Sequence, residues 1–220
     1  VEAAVALSGE GLRAALALRG AAVWPGGELW RLASGHLVHF GPAHLALNLA
    51  GMALIALILR GVLTAGALGR VGLVSAAVIS AGWLMLQPPG ASYVGLSAVL
   101  HGLFVWGGVR LVARGDAFGA LILAGLAAKL GHEAAAGALP ATVALIGGPV
   151  SHLSHVLGTL GGLVAAGLRG GWRAGDGGRD GDRTGDRGAG RWLGGLPGGL
   201  LWAVAVAACL WLARFHAAAA

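Results

Sequence analysis

The sequence predicts an all-α protein, a polytopic bundle of transmembrane helices. Of its 220 residues, 57% are hydrophobic and 11% are charged, and the mean hydropathy is +0.79. Soluble domains carry about 25% charged residues. Lys, Arg, Asp and Glu are absent from four long stretches, 32–59, 71–109, 134–168 and 192–213. Because a transmembrane helix needs about 20 apolar residues, this composition excludes a water-soluble globule.

Turn residues divide these stretches into separate helices. Gln87-Pro88-Pro89-Gly90 interrupts one stretch, and Pro140 and Gly147-Gly148-Pro149 interrupt the next, since proline lacks an amide donor and glycine permits a turn. The predicted spans are 42–60, 70–87, 96–113, 117–138, 149–168 and 196–213. Ala, Gly and Ser recur within them, which favours close helix packing in lipid.

Four regions follow from these spans. Residues 1–41 are predicted to form an external N-terminal segment and first loop, because Glu and Arg interrupt them too often for a span. The start at Val1 suggests a missing upstream part, and the segment does not resemble a signal peptide. Residues 42–168 form the helical core, 169–192 a flexible Gly/Arg/Asp linker, and 193–220 an additional C-terminal transmembrane helix and tail.

Positive charge is restricted to alternate loops. The basic loops are those with Arg60 and Arg70, with Arg110 and Arg114, and the linker. The loops at 87–95 and 138–148 are uncharged, so the positive-inside rule assigns them to the outer side. The net charge of +6 therefore indicates topology rather than nucleic-acid binding, and the lone Cys209 excludes a disulfide scaffold.

Polar residues within apolar spans are costly and usually face an interior cavity. Ser97 follows the Gly95-Leu96 pair at a predicted helix start, where unpaired amides can bind an oxyanion; a plain N-cap serine is the alternative.

A serine nucleophile needs a base, and a later helix offers His152 and His155. His155 is favoured because Gly158 and Gly162 lie on its side of the helix and allow close approach to a neighbour. His152 is the second choice, with a plain loop-facing residue as the alternative.

His44 and Asn48 are four residues apart, so both point the same way from one helix start. Their side chains can donate to a developing oxyanion. A simple hydrogen bond from Asn48 to a neighbouring helix is the alternative.

These motifs, in this order, resemble the rhomboid intramembrane serine proteases over residues 28–165. The likeness includes Trp30-Arg31 in the first external loop, His39 before His44 and Asn48, Gly-x-Ser at Ser97, and His-xx-Gly-xxx-Gly at His155. Gly-Leu-Ser-x-Val-Leu-His-Gly, and Lys129 with Glu133 on the family's fifth helix, resemble the rhombosortase branch.

The resemblance implies a role for each matching residue. Ser97 corresponds to the nucleophile and His155 to the general base. His44, Asn48 and the Ser97 backbone amide correspond to the oxyanion donors. The supporting residues are Gly95, His101, Gly158 and Gly162. Three departures are Ala98 in place of the usual glycine, the absence of the family's first helix, and the additional C-terminal helix.

No Asp or Glu lies in the matching motifs, so the sequence predicts a Ser-His dyad without cofactor or metal. Lys129 and Glu133 are four residues apart on one helix and are expected to form a structural ion pair; a role in substrate specificity is the alternative. A haem or metal site built from the His pairs 36/39 and 152/155 is disfavoured, because soft ligands and carboxylate partners are missing.

The resemblance implies cleavage of membrane-anchored proteins near the outer face, with Gly-Gly type C-terminal sorting tails as substrates. The expected location is a bacterial inner membrane, with the active site facing the periplasm or exterior and no nucleic-acid partner. Residues 194–199 and the apolar run after them resemble such a tail, but the predicted topology puts them on the inner side, away from Ser97. Alternatives are a general rhomboid protease on single-span substrates and a catalytically silent rhomboid-like binding protein.

Overall fold

A computed structural model describes residues 9–168, which form mainly helices. The long helices are α4 (Pro42–Ile58), α5 (Ala65–Leu86), α6 (Ser97–Val112), α7 (Phe118–Ala136) and α9 (His152–Gly167). The short elements are α1 (Gly9–Leu16), β1 (Leu18–Arg19), α2 (Gly20–Val23), α3 (Arg31–Ser34), β2 (Ser92–Tyr93) and α8 (Pro140–Ile146). Each of the five predicted spans within this part of the chain overlaps one long helix; four enclose it, whereas the span predicted at 70–87 starts five residues after α5 begins. The linker, the span at 196–213 and the tail at 194–199 lie outside the described residues.

Three loop assignments from the sequence differ from the structure. Arg70 lies within α5, because the Thr64 hydroxyl accepts a hydrogen bond from the Ala67 amide and starts the helix at Ala65. Arg110 lies in the last turn of α6. The predicted loop at 138–148 also contains a helix, α8, which begins with proline at its first position, where the missing amide costs no hydrogen bond.

Within residues 9–168, one helix is both long and apolar enough to cross a bilayer by length and composition. It is α5, with 22 residues; α4 and α6 are apolar but shorter.

Glycines bring α6 and α9 into backbone contact. A Cβ at Gly158 would overlap the Ala98 carbonyl, and a Cβ at Gly162 would overlap the Gly102 carbonyl. Backbone atoms cannot rotate away as a side chain can, so only glycine permits this spacing. Ala98, the departure from the family pattern, is fully buried in this contact.

The bundle has two distinct ends. The Arg114 guanidinium donates to the Gly61 carbonyl at 2.7 Å, which joins the loop after α4 to the loop after α6. The starts of α4, α6 and α9 lie at the opposite end from these loops, because successive long helices alternate in direction.

The N-terminal segment packs on this second end. Strand β1 pairs antiparallel with β2, so Leu18 faces Tyr93 shortly before the start of α6. The buried Arg31 guanidinium donates to the carbonyls of Ala14 and Ala17 at 2.8 and 2.7 Å. Arg31 of the Trp-Arg motif therefore ties α3 to the end of α1 within this segment.

Candidate active site

The predicted nucleophile and base meet between α6 and α9. Ser97 Oγ lies 3.2 Å from His155 Nε2, although 58 positions separate the two residues. Ser97 is the first residue of α6, and His155 lies in the first turn of α9. A hydroxyl and an imidazole at this distance can share a proton.

The His101 ring lies against His155. The two rings stack with their centroids 4.1 Å apart and their planes 12° from parallel. His101 Nδ1 donates to the Ser97 carbonyl at 2.7 Å, one turn back on α6. These contacts fix the plane of His155 against the helix that carries Ser97.

The side chains of His44 and Asn48 reach from α4 to the cavity that Ser97 and His155 line, and both are buried. The Phe40 amide donates to His44 Nδ1 at 3.3 Å, so the neutral ring carries its proton on Nε2. Asn48 Nδ2 has no hydrogen-bond partner among the described residues. Gly95 has a φ of +111°, and a Cβ there would lie 2.8 Å from His44 Cε1. Backbone conformation and space therefore both require glycine at this position.

One cavity of about 430 Å³ connects these side chains. The site residues predicted from the sequence that line it are His44, Asn48, Ser97, His101, Lys129, Glu133 and His155. Gly158 and Gly162 do not line the cavity; they allow the backbones of α9 and α6 to come into contact.

A family model of the rhomboid domain matches residues 26–171. The chain belongs to the rhomboid family. Searches of the curated proteins and of the solved structures each give no significant match. Members of this family are generally serine intramembrane proteases, so the chain is an integral membrane protein.

In this rhomboid, the Lys129–Glu133 pair lies against the base. Lys129 Nζ donates to Glu133 Oε1 at 2.6 Å. The second oxygen, Glu133 Oε2, lies 2.8 Å from His155 Nδ1 and 3.6 Å from His152 Nδ1. Sequence reasoning placed Glu133 only beside Lys129 and missed its contact with His155, since helical spacing reports neighbours on the same helix alone.

Sequence reasoning also missed a buried polar network in front of Ser97. The Tyr93 hydroxyl donates to the Gly95 carbonyl at 2.6 Å and lies 3.1 Å from His36 Nδ1. His36 Nε2 lies 3.0 Å from the Ser80 hydroxyl, which donates to the Leu32 carbonyl. The available signal was weak: Tyr93 is the only tyrosine of the chain.

Burial controls the ionisation of this network. It lowers the pKa of His36 to about 4 and raises the pKa of the Tyr93 hydroxyl. Both side chains are therefore neutral at pH 7, and a neutral His36, with a single N–H, donates to only one of the two hydroxyls. His36 and Tyr93 link the first loop to the segment that precedes the nucleophile.

His, Cys, Asp and Glu residues within 9–168 form no group of three or more that could hold a metal ion. Of the two His pairs considered as ligands, His36 is bonded as described above and His155 contacts Ser97 and Glu133.

Proposed function

We propose that this chain is an intramembrane serine endopeptidase that cleaves membrane-anchored proteins near the outer face of the membrane. The observation that carries the proposal is the 3.2 Å distance from Ser97 Oγ to His155 Nε2 in the cavity that Asn48 and His44 also line. This arrangement offers a nucleophile, a base and unpaired donors in one place.

The proposed reaction is acyl transfer. Ser97 Oγ attacks the carbonyl carbon of the scissile peptide bond while its proton passes to His155 Nε2, because a serine hydroxyl is a weak nucleophile without an adjacent base. The C–N bond then breaks, and His155 returns the proton to the leaving amine. A water molecule then attacks the acyl carbon while His155 Nε2 takes its proton. The ester C–O bond breaks, the carboxylic acid leaves, and His155 returns the proton to Ser97 Oγ.

Three donors are proposed to bind the oxyanion: Asn48 Nδ2, His44 Nε2 and the Ser97 amide. The Asn48 nitrogen lacks a partner among the described residues, and the first amides of a helix have no intrahelical acceptor. Donors fixed before the reaction stabilise developing charge without reorganisation, which supports this assignment.

A segment of a membrane-anchored protein is the proposed substrate. A second cavity of about 420 Å³ adjoins Ser97 between α6 and α7, and most of its wall is apolar. Its apolar side chains are Leu100, Phe104, Phe118, Leu121, Ile122 and Leu126. Such a surface suits an apolar segment entering from the lipid.

Within the family, we assign the chain to the rhombosortase branch, with Gly-Gly type C-terminal sorting tails as substrates. We propose that it is a multi-pass protein of a bacterial inner membrane. The support is the sequence around Ser97 and the Lys129–Glu133 pair. The second candidate is a general rhomboid protease that acts on single-span proteins. The apolar cavity supports both candidates, whereas these motifs support only the rhombosortase branch.

The first experiment labels the full chain in proteoliposomes with a fluorophosphonate probe. The wild type is expected to react at Ser97, and Ser97→Ala is expected to lose labelling and peptide cleavage completely. The matched control is Ser34→Ala, whose hydroxyl donates to the Leu16 carbonyl outside the cavity and whose loss leaves labelling in place. A wild-type protein that does not label at Ser97 would instead be a silent rhomboid-like binding protein.

The second experiment identifies the substrate class. Two reporter proteins carry the same single transmembrane span, one with a Gly-Gly motif before it and the other with Leu-Leu at the same place. Cleavage restricted to the Gly-Gly reporter supports the sorting-tail assignment, whereas equal cleavage of both favours the general protease.

A further inference from the structure

Glu133 is a buried carboxylate with a different partner on each oxygen. Its side chain is 8% exposed. Oε1 accepts from Lys129 Nζ at 2.6 Å, and Oε2 lies 2.8 Å from His155 Nδ1. A buried carboxylate is tolerated only when it is paired and hydrogen-bonded. Lys129, with a side chain 46% exposed, supplies the opposite charge.

The Nδ1 atom of His155 has two polar neighbours of opposite character. Glu133 Oε2 can only accept, and it lies at 2.8 Å. Lys129 Nζ can only donate, and it lies at 3.5 Å. The shorter contact is the stronger one, so Nδ1 carries the proton and donates to Glu133.

A proton on Nδ1 determines the protonation state of the other ring nitrogen, Nε2. A neutral imidazole has one N–H, so a proton on Nδ1 leaves a lone pair on Nε2, the atom that lies 3.2 Å from Ser97 Oγ. The opposite tautomer would present an N–H to the serine and could not take its proton.

We propose that Glu133 is a positioning residue that holds His155 in the Nδ1–H tautomer, and that Lys129 holds Glu133. This proposal rests on the proposed serine-protease function and replaces the two-residue dyad expected from the sequence with a Ser97–His155–Glu133 relay of contacts. When the Ser97 proton moves to Nε2 and Oγ bonds to the carbonyl carbon, the imidazolium that forms has Glu133 beside its second N–H. The proton then leaves with the amine, and the ring returns to its resting tautomer.

Other polar and titratable groups surround His155. They are Ser97 and His101 on α6, Lys129 and Glu133 on α7, His152 on α9 and His44 on α4. Among them, Glu133 is the one carboxylate in the described part of the chain that contacts the ring.

The glutamine variant gives a sharp test because it leaves one oxygen where there were two. In Glu133→Gln, the Lys129 ammonium still needs an acceptor and takes that oxygen, which turns the amide NH₂ toward His155 Nδ1. The NH₂ group donates, so the variant is expected to force the Nε2–H tautomer. In the double variant Lys129→Met/Glu133→Gln the oxygen is released and can turn back toward Nδ1.

The direct measurement is ¹⁵N NMR of the full chain labelled at histidine, in detergent, with the His155 signals assigned by their loss in His155→Gln. We expect the Nδ1–H tautomer in the wild type and the Nε2–H tautomer in Glu133→Gln. An Nε2–H tautomer in the wild type overturns the proposal, and this result needs no variant of Glu133 to fold.

The kinetic measurement separates positioning from structure. Glu133→Gln is expected to lower kcat about 10²-fold to 10⁴-fold, as loss of the equivalent tautomer control does in serine proteases, with KM within about 2-fold because no substrate contact changes. Lys129→Met/Glu133→Gln is expected to recover about 10-fold of kcat, which a merely structural ion pair would not allow. Glu10→Gln, the matched control at an exposed ion pair with Arg13, keeps wild-type kcat.

The outcomes distinguish this proposal from the proposed function. Absence of Ser97 labelling in the wild type would overturn the protease assignment, while the tautomer measurement would still report on Glu133. Labelling at Ser97 with full kcat in Glu133→Gln would overturn the positioning role and leave the Ser-His protease intact.

Discussion

Two neighbouring parts of the bundle are built in opposite ways. In α6 and α9, eleven of 16 and nine of 16 residues are buried. In α7, all of whose residues are described, two of 19 are buried, Gly119 and Glu133. The first pair is fixed by backbone contact over its length, whereas α7 is fixed at a few points and presents most of its apolar side chains outward.

This difference divides the candidate site into a rigid part and an adjustable part. The distance from Ser97 to His155 is set by glycines on both helices, because packed backbones cannot slide without breaking many contacts. The carboxylate of Glu133 is brought in by α7, whose side next to α6 is the apolar cavity proposed to accept substrate. The reacting pair can therefore stay in register while the neighbouring helix adapts to a substrate.

Among the substitutions that compare the two parts, the largest effect is expected from widening the rigid part. In Gly158→Ala the new methyl group would overlap the Ala98 carbonyl, so α9 must move away from α6. Overpacking costs about 1–3 kcal/mol, and a displacement of about 1 Å can lower a rate about 10²-fold. We expect at least that loss of Ser97 labelling rate, measured in proteoliposomes.

The matched control is Gly131→Ala on α7. A Cβ at Gly131 meets nothing within 4 Å, and alanine is the better helix former by about 0.5–1 kcal/mol. An unchanged Ser97 labelling rate and unchanged or slightly raised stability are expected there. Equal losses of labelling rate at Gly158 and Gly131 would contradict the distinction between the two parts.

A second pair of substitutions compares stability directly. Leu103 on α6 is fully buried and Leu121 on α7 is 64% exposed. Leu103→Ala is expected to cost about 2–5 kcal/mol, as for other buried leucines, whereas Leu121→Ala is expected to stay within about 0.5 kcal/mol. Reversible unfolding in mixed micelles gives both values, and a cost at Leu121 as large as at Leu103 would show that α7 is packed as firmly as α6.

The sequence predicted the rigid part better than the adjustable part. Hydropathy and turn residues located the long helices, because each apolar run between turn residues corresponds to one helix. The start of α5 was misplaced because Arg70 was assigned to the loop before the span, although a long basic side chain can extend from a helix end to the membrane surface. Ser97 and His155 were identified from motif order and the family resemblance, and the glycines after His155 indicated the contact.

Contacts between helices that lack a row of glycines like the one after His155 were not predicted. The spacing of Lys129 and Glu133 correctly suggested a neighbouring pair on one helix, yet the approach of Glu133 to His155 depends on how α7 is rotated against α9. No local pattern encodes that rotation. The network of His36, Tyr93 and Ser80 depends on three separate segments meeting, so periodicity could not reveal it either.

The smallest effect is expected in the segment that leads into α6, which is held by fewer contacts than the α6–α9 pair. Tyr93→Phe removes a hydroxyl that donates to the Gly95 carbonyl and lies beside His36 Nδ1. Each buried group left without its partner costs about 1–3 kcal/mol, so we expect a loss of stability in that range. The backbone of Gly95 is still held by its own amide, which donates to the Gly35 carbonyl at 3.0 Å. We therefore expect only a few-fold fall in Ser97 labelling rate, and a loss as large as in Gly158→Ala would mean that the entering segment, rather than the α6–α9 contact, sets the geometry of the nucleophile.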